Sequence, residues 1–556
     1  MIRSVKLQRC IWILCLVLLG GLLAWFSSFQ YVGDPVFSHD AGFYEEDILL
    51  EISAPNAAKI YYTLDGSVPD KNATEYTGPI LLTNASEKEN GHAMRTDLSA
   101  GFYSDLIDQY QVLDGHPGYA APDFLIDKCT VVRAVAYSPD ESVSQIASAS
   151  YFVGLSAADY DGCNILSIYT DAANLFDSKT GIYVTGDILE RYLQAGEISD
   201  HWHTWEANYR QRGSDWERPV WFDFFDSSGR LVHAQAGGIR THGDFSRSEL
   251  PRSLNLYTRV EYDQTDSFGF APFASDYIPQ RIVLNSGGNA TLTQFPDYMM
   301  TRMLQGLNCA TILHEPYVLF LNGEYWGFYW LTEKYDEDYL NHYYGVGENN
   351  VIIIKNFCIE QGNAADYQVF EDMRLFFSET DLSGEENYRR ACQLIDVESC
   401  IDYYATMIYI ARNHDWPMSN EALWRVRNPL AEGQYNDGRW RWLLFDFNSP
   451  CMREAEHDTL NYVIERDPLF ASLWKNDTFR EAFTQKLLFI GRQLLSGEKV
   501  DAFIREYTDT MLPVLEKSWA RFYGSGNNRQ ESFLSVMEDH RSFFNNRLAV
   551  VESWFS

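Results

Sequence analysis

Hydrophobic and polar positions divide the chain into stretches with different periods. The first is an unbroken apolar run at 10–26, preceded by Arg3, Lys6 and Arg9, with no acidic residue before Asp34. A basic flank before such a run marks either a cleaved signal peptide or a signal anchor. Ala24-Trp25-Phe26 lacks the second small residue of a cleavage site. The pattern therefore predicts an uncleaved single-pass transmembrane helix within 1–32, with Trp25, Phe26 and Tyr31 at the far interface. Charge bias then keeps the N-terminus in the cytosol and puts the bulk of the chain outside, at the cell membrane.

From 35 to 155 the period is two. Short runs at 48–52, 59–64, 76–82 and 130–137, with Asp65-Gly66 as a turn, predict a small all-β sandwich. The polar stretch 84–127 reads as a surface insertion near its end. From 160 to 550 the periods mix. Strands are expected at 181–186, 219–225, 251–257, 351–356 and 440–445, and a helix at 297–304. The runs 317–321 and 325–331 flank Asn322-Gly323, the strongest short hairpin signal. Ile401, Tyr404, Ala405, Ile408 and Ala411 fit one helix face over 399–412. Helical spacing dominates from 470 onward, with Phe479, Phe483 and Leu487 as core candidates. The fold class expected is α+β: a transmembrane anchor, a small β-sandwich, then a large mixed domain ending in helices.

Composition narrows what this scaffold serves. Hydrophobic residues make up 46% and aromatics 15%, so a packed core is expected rather than disorder. A net charge of −34 repels nucleic acid and anionic lipid. It also repels ATP unless basic side chains gather locally. Cys129, Cys163, Cys309, Cys358, Cys392, Cys400 and Cys451 form no C-x-x-C pair. They read as buried thiols, with a Cys392–Cys400 bridge as the alternative.

Basic side chains do gather at 237–252, where glycines accompany Arg240, His242, Arg247 and Arg252. Glycine lets backbone approach phosphate, and Arg supplies a permanent bidentate charge. A surface β-turn with ordinary ion pairs fits the same residues. Glu333, at the end of a strand, could pair with Arg252, or be a solvated strand-end charge. Lys355 is a further phosphate candidate. The loop 413–420 then carries Asp415 with Asn420 in an Asp-x-x-x-x-Asn spacing, and Asp446-Phe447-Asn448 ends an apolar strand. Phosphoryl transfer needs one carboxylate to orient the attacking hydroxyl, and an amide with a second carboxylate to hold Mg²⁺. The order and spacing match the protein-kinase H-R-D-x-x-x-x-N and D-F-G pattern, with Asn448 in place of the glycine. Two loop carboxylates capping helices and turns would look the same.

Two resemblances sharpen this. Ile60-Tyr61-Tyr62-Thr63-Leu64-Asp65-Gly66-Ser67-Val68-Pro69, with the stretches 76–80 and 131–137, resembles the chitobiase/β-hexosaminidase C-terminal domain family. That resemblance implies an accessory β-sandwich. Its Tyr61 and Tyr62 could stack on glycans, or fill the strand core. Further on, Gly181-Ile182-Tyr183-Val184, Ile239-Arg240-Thr241-His242-Gly243, Ser246-Arg247, Arg252-Ser253-Leu254, Asn322-Gly323-Glu324-Tyr325-Trp326-Gly327, Glu333-Lys334, Asn413-His414-Asp415-Trp416, Asn420 and the stretch 440–448 resemble, in order, the spore coat protein H (CotH) kinase-like family. The resemblance implies an atypical Ser/Thr protein kinase using ATP and Mg²⁺ or Mn²⁺ on a surface or coat protein. It makes Asp415 the catalytic carboxylate and Asn420, Asp446 and Asn448 the metal side. Arg240, Arg247, Arg252, Glu333 and Lys355 fall to the nucleotide. Two positions depart from the family: Arg252 stands where Lys is usual, and Asn448 where a second Asp is common. The other function left open is a catalytically weak surface module contacting glycans or wall polymers.

Overall fold

A computed structural model of the chain describes residues 32–347, 349–417, 419–430, 432–448 and 451–556. The apolar run expected to cross a membrane lies outside these residues. Among those described, no helix is long and apolar enough to span a bilayer. The two longest, Gly497–Tyr523 and Arg529–Ser553, expose Glu498, Lys499, Arg505 and Glu506, and Glu531, Glu538 and Asp539. The fold class is corrected accordingly to mixed α+β, sheet-rich toward the N-terminus and helical at the C-terminal end. Single-pass placement at the cell membrane has no support.

Near the N-terminus a five-stranded sheet runs Gly42–Tyr44, Ala147–Val153, Thr130–Tyr137, Lys59–Thr63, Thr74–Glu75. Two small sheets pair Ile48–Leu50 with Ile80–Leu82 and Val36–Phe37 with Ile52–Ser53. Ile48, Leu50, Leu82, Val132, Ala149, Tyr151 and Val153 fill the space between. Tyr61 is buried and packs edge-on against Tyr137, so it offers no open stacking face. The stretch 84–127 is not a mere surface insertion. Leu98, Ala100 and Ile107 are buried. The stretch lies along the next domain, where Ala100 and Ile107 pack with Leu189, Trp202, Trp205, Ala207 and Tyr209.

The centre is a closed seven-stranded barrel in the order Asn164–Tyr169, Arg218–Phe225, Leu231–Thr241, Leu254–Tyr257, Arg281–Asn285, Glu324–Thr332, His314–Leu321. Only the closing pair, Asn164–Tyr169 with His314–Leu321, is parallel. Asn322 (φ 48°) and Gly323 (φ 84°) both take the left-handed backbone that a two-residue hairpin turn requires. Residues on the hairpin's two faces enter different cores. Leu319, Leu321, Tyr329 and Leu331 join one, and Val318, Phe320, Phe328 and Trp330 the other. Burial on both faces explains the near-continuous apolar run there. Gly497–Tyr523 covers the hairpin, burying Val500, Ile504, Tyr507, Met511, Val514 and Ser518 at helical spacing. Ser518 Oγ accepts from Phe328 N at 3.2 Å.

The stretch 181–186 is not the strand its apolar residues suggest. It folds back on a short helix, with Tyr183 N donating to Leu175 O at 2.8 Å, and a Cβ at Gly181 would lie 2.5 Å from Asp177 O. After the barrel comes a four-stranded sheet, Cys358–Gln361, Val351–Lys355, Ala422–Val426, Arg441–Trp442. Of the expected strand 440–445, only Arg441–Trp442 pairs as a strand. The helix Val397–Tyr409 is buried on every side from Ser399 onward, rather than along one face. The cysteines beyond the apolar run are free thiols, so Cys392 and Cys400 form no bridge.

Candidate functional site

The barrel and the four-stranded sheet enclose a cleft of about 850 Å³. Barrel strands and their loops carry Arg240, His242, Arg281 and Lys334 into it; the small sheet and its loops bring Lys355, Asn420, Asp446 and Asn448. Lys and Arg side chains in the lining are Arg212, Arg240, Arg247, Arg281, Lys334 and Lys355, against the carboxylates of Asp244, Asp297, Glu333, Glu360 and Asp446. Bases and acids thus nearly balance here, whereas the whole chain has 78 acids to 44 bases. The cleft meets the condition for holding a polyanion on a strongly acidic protein.

His242 reports how closely the cations gather. Its Nδ1 donates to Asn255 Oδ1 at 3.0 Å. Burial first, then the charges of Lys334, Lys355 and Arg247, push it down to about 3, so the imidazole is neutral. Lys334 is itself lowered, by burial and then by Arg281, with Glu360 at 3.3 Å opposing. A lysine held low by burial and a neighbouring cation gains most from an arriving anion. Lys355 lies 4.4 Å from the Phe445 ring centroid.

The glycine-rich loop is shaped by Gly243, whose φ of +87° places a hypothetical Cβ 2.0 Å from Ser246 Oγ. Arg247 braces that loop. Its Nε donates to Gly243 O at 2.6 Å, and its Nη1 to Thr241 Oγ1 at 2.6 Å and Gln211 O at 3.0 Å. Arg247 lines the cleft, but its guanidinium is spent largely on protein oxygens. Arg252 is corrected outright. It is wholly buried away from the cleft, between Tyr209 (4.1 Å) and Tyr183 (4.6 Å), donating to Leu98 O, Tyr183 O and Arg247 O. Glu333 does not pair with it. Glu333 instead accepts from Leu313 N at 2.7 Å and Tyr343 OH at 2.6 Å, and burial pushes it up to about 7.

The acidic wall begins where the buried helix Val397–Tyr409 ends. Ala411 takes a left-handed φ of 53°, and Arg412 N donates to Met407 O at 3.1 Å. This overwound last turn resembles a Schellman cap and swings Arg412 inward. Arg412 is fully buried, its Nε donating to Asp415 Oδ1 at 3.0 Å. Burial alone would lower it, but Asp415 and Asp446 outweigh that and hold it charged. Asn420 Nδ2 donates to Asp415 Oδ2 at 2.6 Å. Asn420 therefore lines the cleft while Asp415 sits one hydrogen bond behind it.

Asp446 has an edge on the cleft yet is largely desolvated. Burial raises its pKa, and Arg412 and Lys355 pull it back. Asn420 (φ 54°), Asp446 (φ 59°) and Asn356 (φ 51°) are all left-handed and all line the cleft. Strained non-glycine backbone of this kind gathers at working sites.

Sequence reasoning missed Asp297, Arg281 and Lys334. Asp297 opens the helix Pro296–Met303 and accepts from Phe447 N and Asn448 Nδ2, both at 2.5 Å. Burial first, then Asp446, push it up to about 7. Asp297, Asp415 and Asp446 are thus one charge-coupled group with Arg412 among them. Their oxygens do not all lie within 4.8 Å of one another. Helix-opening position and an N1 Pro were visible at 296–297, but nothing local tied Asp297 to a loop so far along the chain.

Comparison with known families bears on this geometry. Residues 48–151 match the family described as Fn3 associated, which supports an accessory β-domain without singling out the chitobiase type. No curated protein matches the chain. Residues 239–551 match the family described as CotH kinase protein, a span that takes in the loop at Gly243, the later barrel strands from Leu254–Tyr257 on, the four-stranded sheet and the C-terminal helices. That span is more than half of the sequence, and the chain belongs to the CotH kinase protein family.

Proposed function

We propose that the chain is a metal-dependent protein kinase, moving the γ-phosphoryl group of ATP to a Ser or Thr hydroxyl of a protein substrate. The observation that carries this reading is the pairing, across one cleft, of the Lys334–Lys355–Arg281 cluster with Asp446, Asn420, Asn448 and Asp297. Its volume of about 850 Å³ suits a nucleotide-sized ligand. Lys334 and Lys355 would take phosphate oxygens, while neutral His242 adds no competing charge.

The donor set on the acidic wall fits Mg²⁺ or Mn²⁺, since carboxylate and amide oxygens are the ligands hard cations prefer. Asp446 and the carbonyls of Asn420 and Asn448 would hold the ion, and Asp297 stands behind Asn448. Burial and then the charge of Asp446 lift Asp297 to about 7, and a divalent charge would relieve both by favouring the ionised form. Bound there, the metal would supply charge neutralisation on the phosphates. Asp415, oriented by Arg412 and Asn420, would accept the hydroxyl proton as the oxygen attacks phosphorus and the bond to ADP breaks. The acceptor, by family resemblance, is a surface or coat protein.

A second reading, a non-catalytic binding module, draws on one observation: Asp415 does not itself line the cleft. Incubation of the purified chain with Mg-ATP or Mn-ATP separates the two. Autophosphorylation that Asp415→Asn abolishes supports the kinase. Failure to bind or turn over nucleotide with either metal overturns it.

A further inference from the structure

Away from the cleft, Asp114, His201 and His203 converge from segments far apart in the chain. His201 Nδ1 lies 2.5 Å from Asp114 Oδ1, and His203 Nδ1 lies 2.7 Å from Asp114 Oδ2. Among the described residues this is the one group of three or more His, Cys, Asp or Glu whose ligand atoms all lie within 4.8 Å of one another. The base beneath it is built. Trp202, between the two histidines, is buried with Trp205 in a small aromatic core, which turns both imidazoles outward toward Asp114. Leu113 N donates to Asp200 O at 2.7 Å, pinning the two strands of chain together beside the cluster.

We propose that Asp114, His201 and His203 form a zinc site. Two imidazole nitrogens and a carboxylate oxygen are a common Zn²⁺ donor set, with water completing a tetrahedron. Bonds of about 2.0–2.1 Å put neighbouring donors roughly 3.3 Å apart. The two imidazole–carboxylate contacts, 2.5 and 2.7 Å and each to a different oxygen of Asp114, need to open by less than about 1 Å, exchanging each bridging proton for one shared ion. Asp200 Oδ1, 3.7 Å from His201 Nε2, stands where an outer carboxylate orients a metal-bound imidazole. Zinc is the ion of choice because imidazole ligands favour it over Mg²⁺ or Ca²⁺.

The site would act as a clip. Asp114 belongs to the stretch 84–127, and both histidines to the segment next to the glycine-rich loop. The His203 ring lies 4.8 Å from that of Phe245, which lines the cleft. His203 O accepts from Arg210 Nη1 at 2.7 Å and Ser248 Oγ at 2.6 Å. An ion here would fasten the inserted stretch to the back of the loop facing the nucleotide.

Chelator-treated full-length chain is titrated with ZnCl₂ by calorimetry, with bound metal counted by elemental analysis. One zinc per chain is expected, with a higher Tm and slower trypsin cleavage within 84–127. His201→Ala/His203→Ala should weaken zinc binding by more than about 100-fold, while Asp446→Asn, altered in the cleft, keeps it. Co²⁺ added to the wild-type chain should give the intense visible absorption of a tetrahedral site, a readout independent of any variant's folding. No zinc uptake, uptake unchanged in the double variant, or uptake lost in Asp446→Asn instead would overturn the assignment.

Discussion

Arg412 Nε donates to Asp415 Oδ1 at 3.0 Å from a guanidinium with no exposed surface. The charge that fixes the proposed base is therefore itself inside the protein. Asp415→Ala removes the ion-pair partner of buried Arg412 and leaves the charge of Asp446 opposite it, at a cost of about 2 kcal/mol. This is below the ~3–5 kcal/mol of a fully buried pair, because Asp415 keeps some contact with water. Asp415→Asn keeps an acceptor and should cost about 1 kcal/mol or less. Phosphoryl transfer should fall at least ~100-fold in both. Urea titration and autophosphorylation, run side by side, separate the two effects.

Asp297 makes stability depend on pH. Its pKa is raised to about 7 in the fold from 3.8, so the native state holds a proton that the unfolded chain releases. Stability from this group is present below pH 4 and falls as pH rises toward 7. Asp297→Asn should flatten the decline between pH 5 and 7.5 by on the order of 1 kcal/mol or more. Mn²⁺ should do the same for the wild type by stabilising the ionised form. A melting series with equal slopes in all three samples would contradict this.

Lys334 and Lys355 face the cleft, whereas Arg252 does not. Lys334→Ala and Lys355→Ala should each weaken ATP binding about 10-fold with little change in Tm. Arg252→Ala should lower stability by on the order of 3 kcal/mol and leave the nucleotide Kd of the folded protein unchanged. Isothermal titration beside thermal melts checks both halves.

Gly243→Ala puts a side chain on backbone at φ +87° and against Ser246 Oγ. The expected cost is about 1–2 kcal/mol. Because that loop faces the cleft, KM for ATP should rise more than kcat falls. Pairing the substitution with Ser246→Ala should recover part of the stability by removing the contact.

What was legible in the sequence is what depends on neighbours in the chain. Asn322-Gly323 between apolar runs could hardly be anything but a turn, and Asp415 and Asn420 meet in a hydrogen bond because one loop holds both. Asp297 was hidden because Asn448, which completes it, comes 151 residues later. Arg252 misled for the same reason. A guanidinium beside other basic residues looks available, and only Tyr183 and Tyr209, brought in by other segments, show that it is enclosed. The His201–His203 pair was equally mute without Asp114. Burial of 84–127 against the barrel escaped notice because its apolar residues are spaced too irregularly to declare a face.

The barrel and the four-stranded sheet share no strand ladder among the described residues. They meet through contacts such as the Ala310–Leu443 bridge and the Tyr335 hydroxyl, which lies 2.7 Å from both Ala310 O and Leu444 O and can give its one proton to either. A ligand gripped at once by Lys334 and Lys355 would therefore gauge the spacing of two separate scaffolds, as calipers gauge thickness. Affinity then becomes adjustable through the Tyr335 hydroxyl, which sits between Ala310 O of one scaffold and Leu444 O of the other.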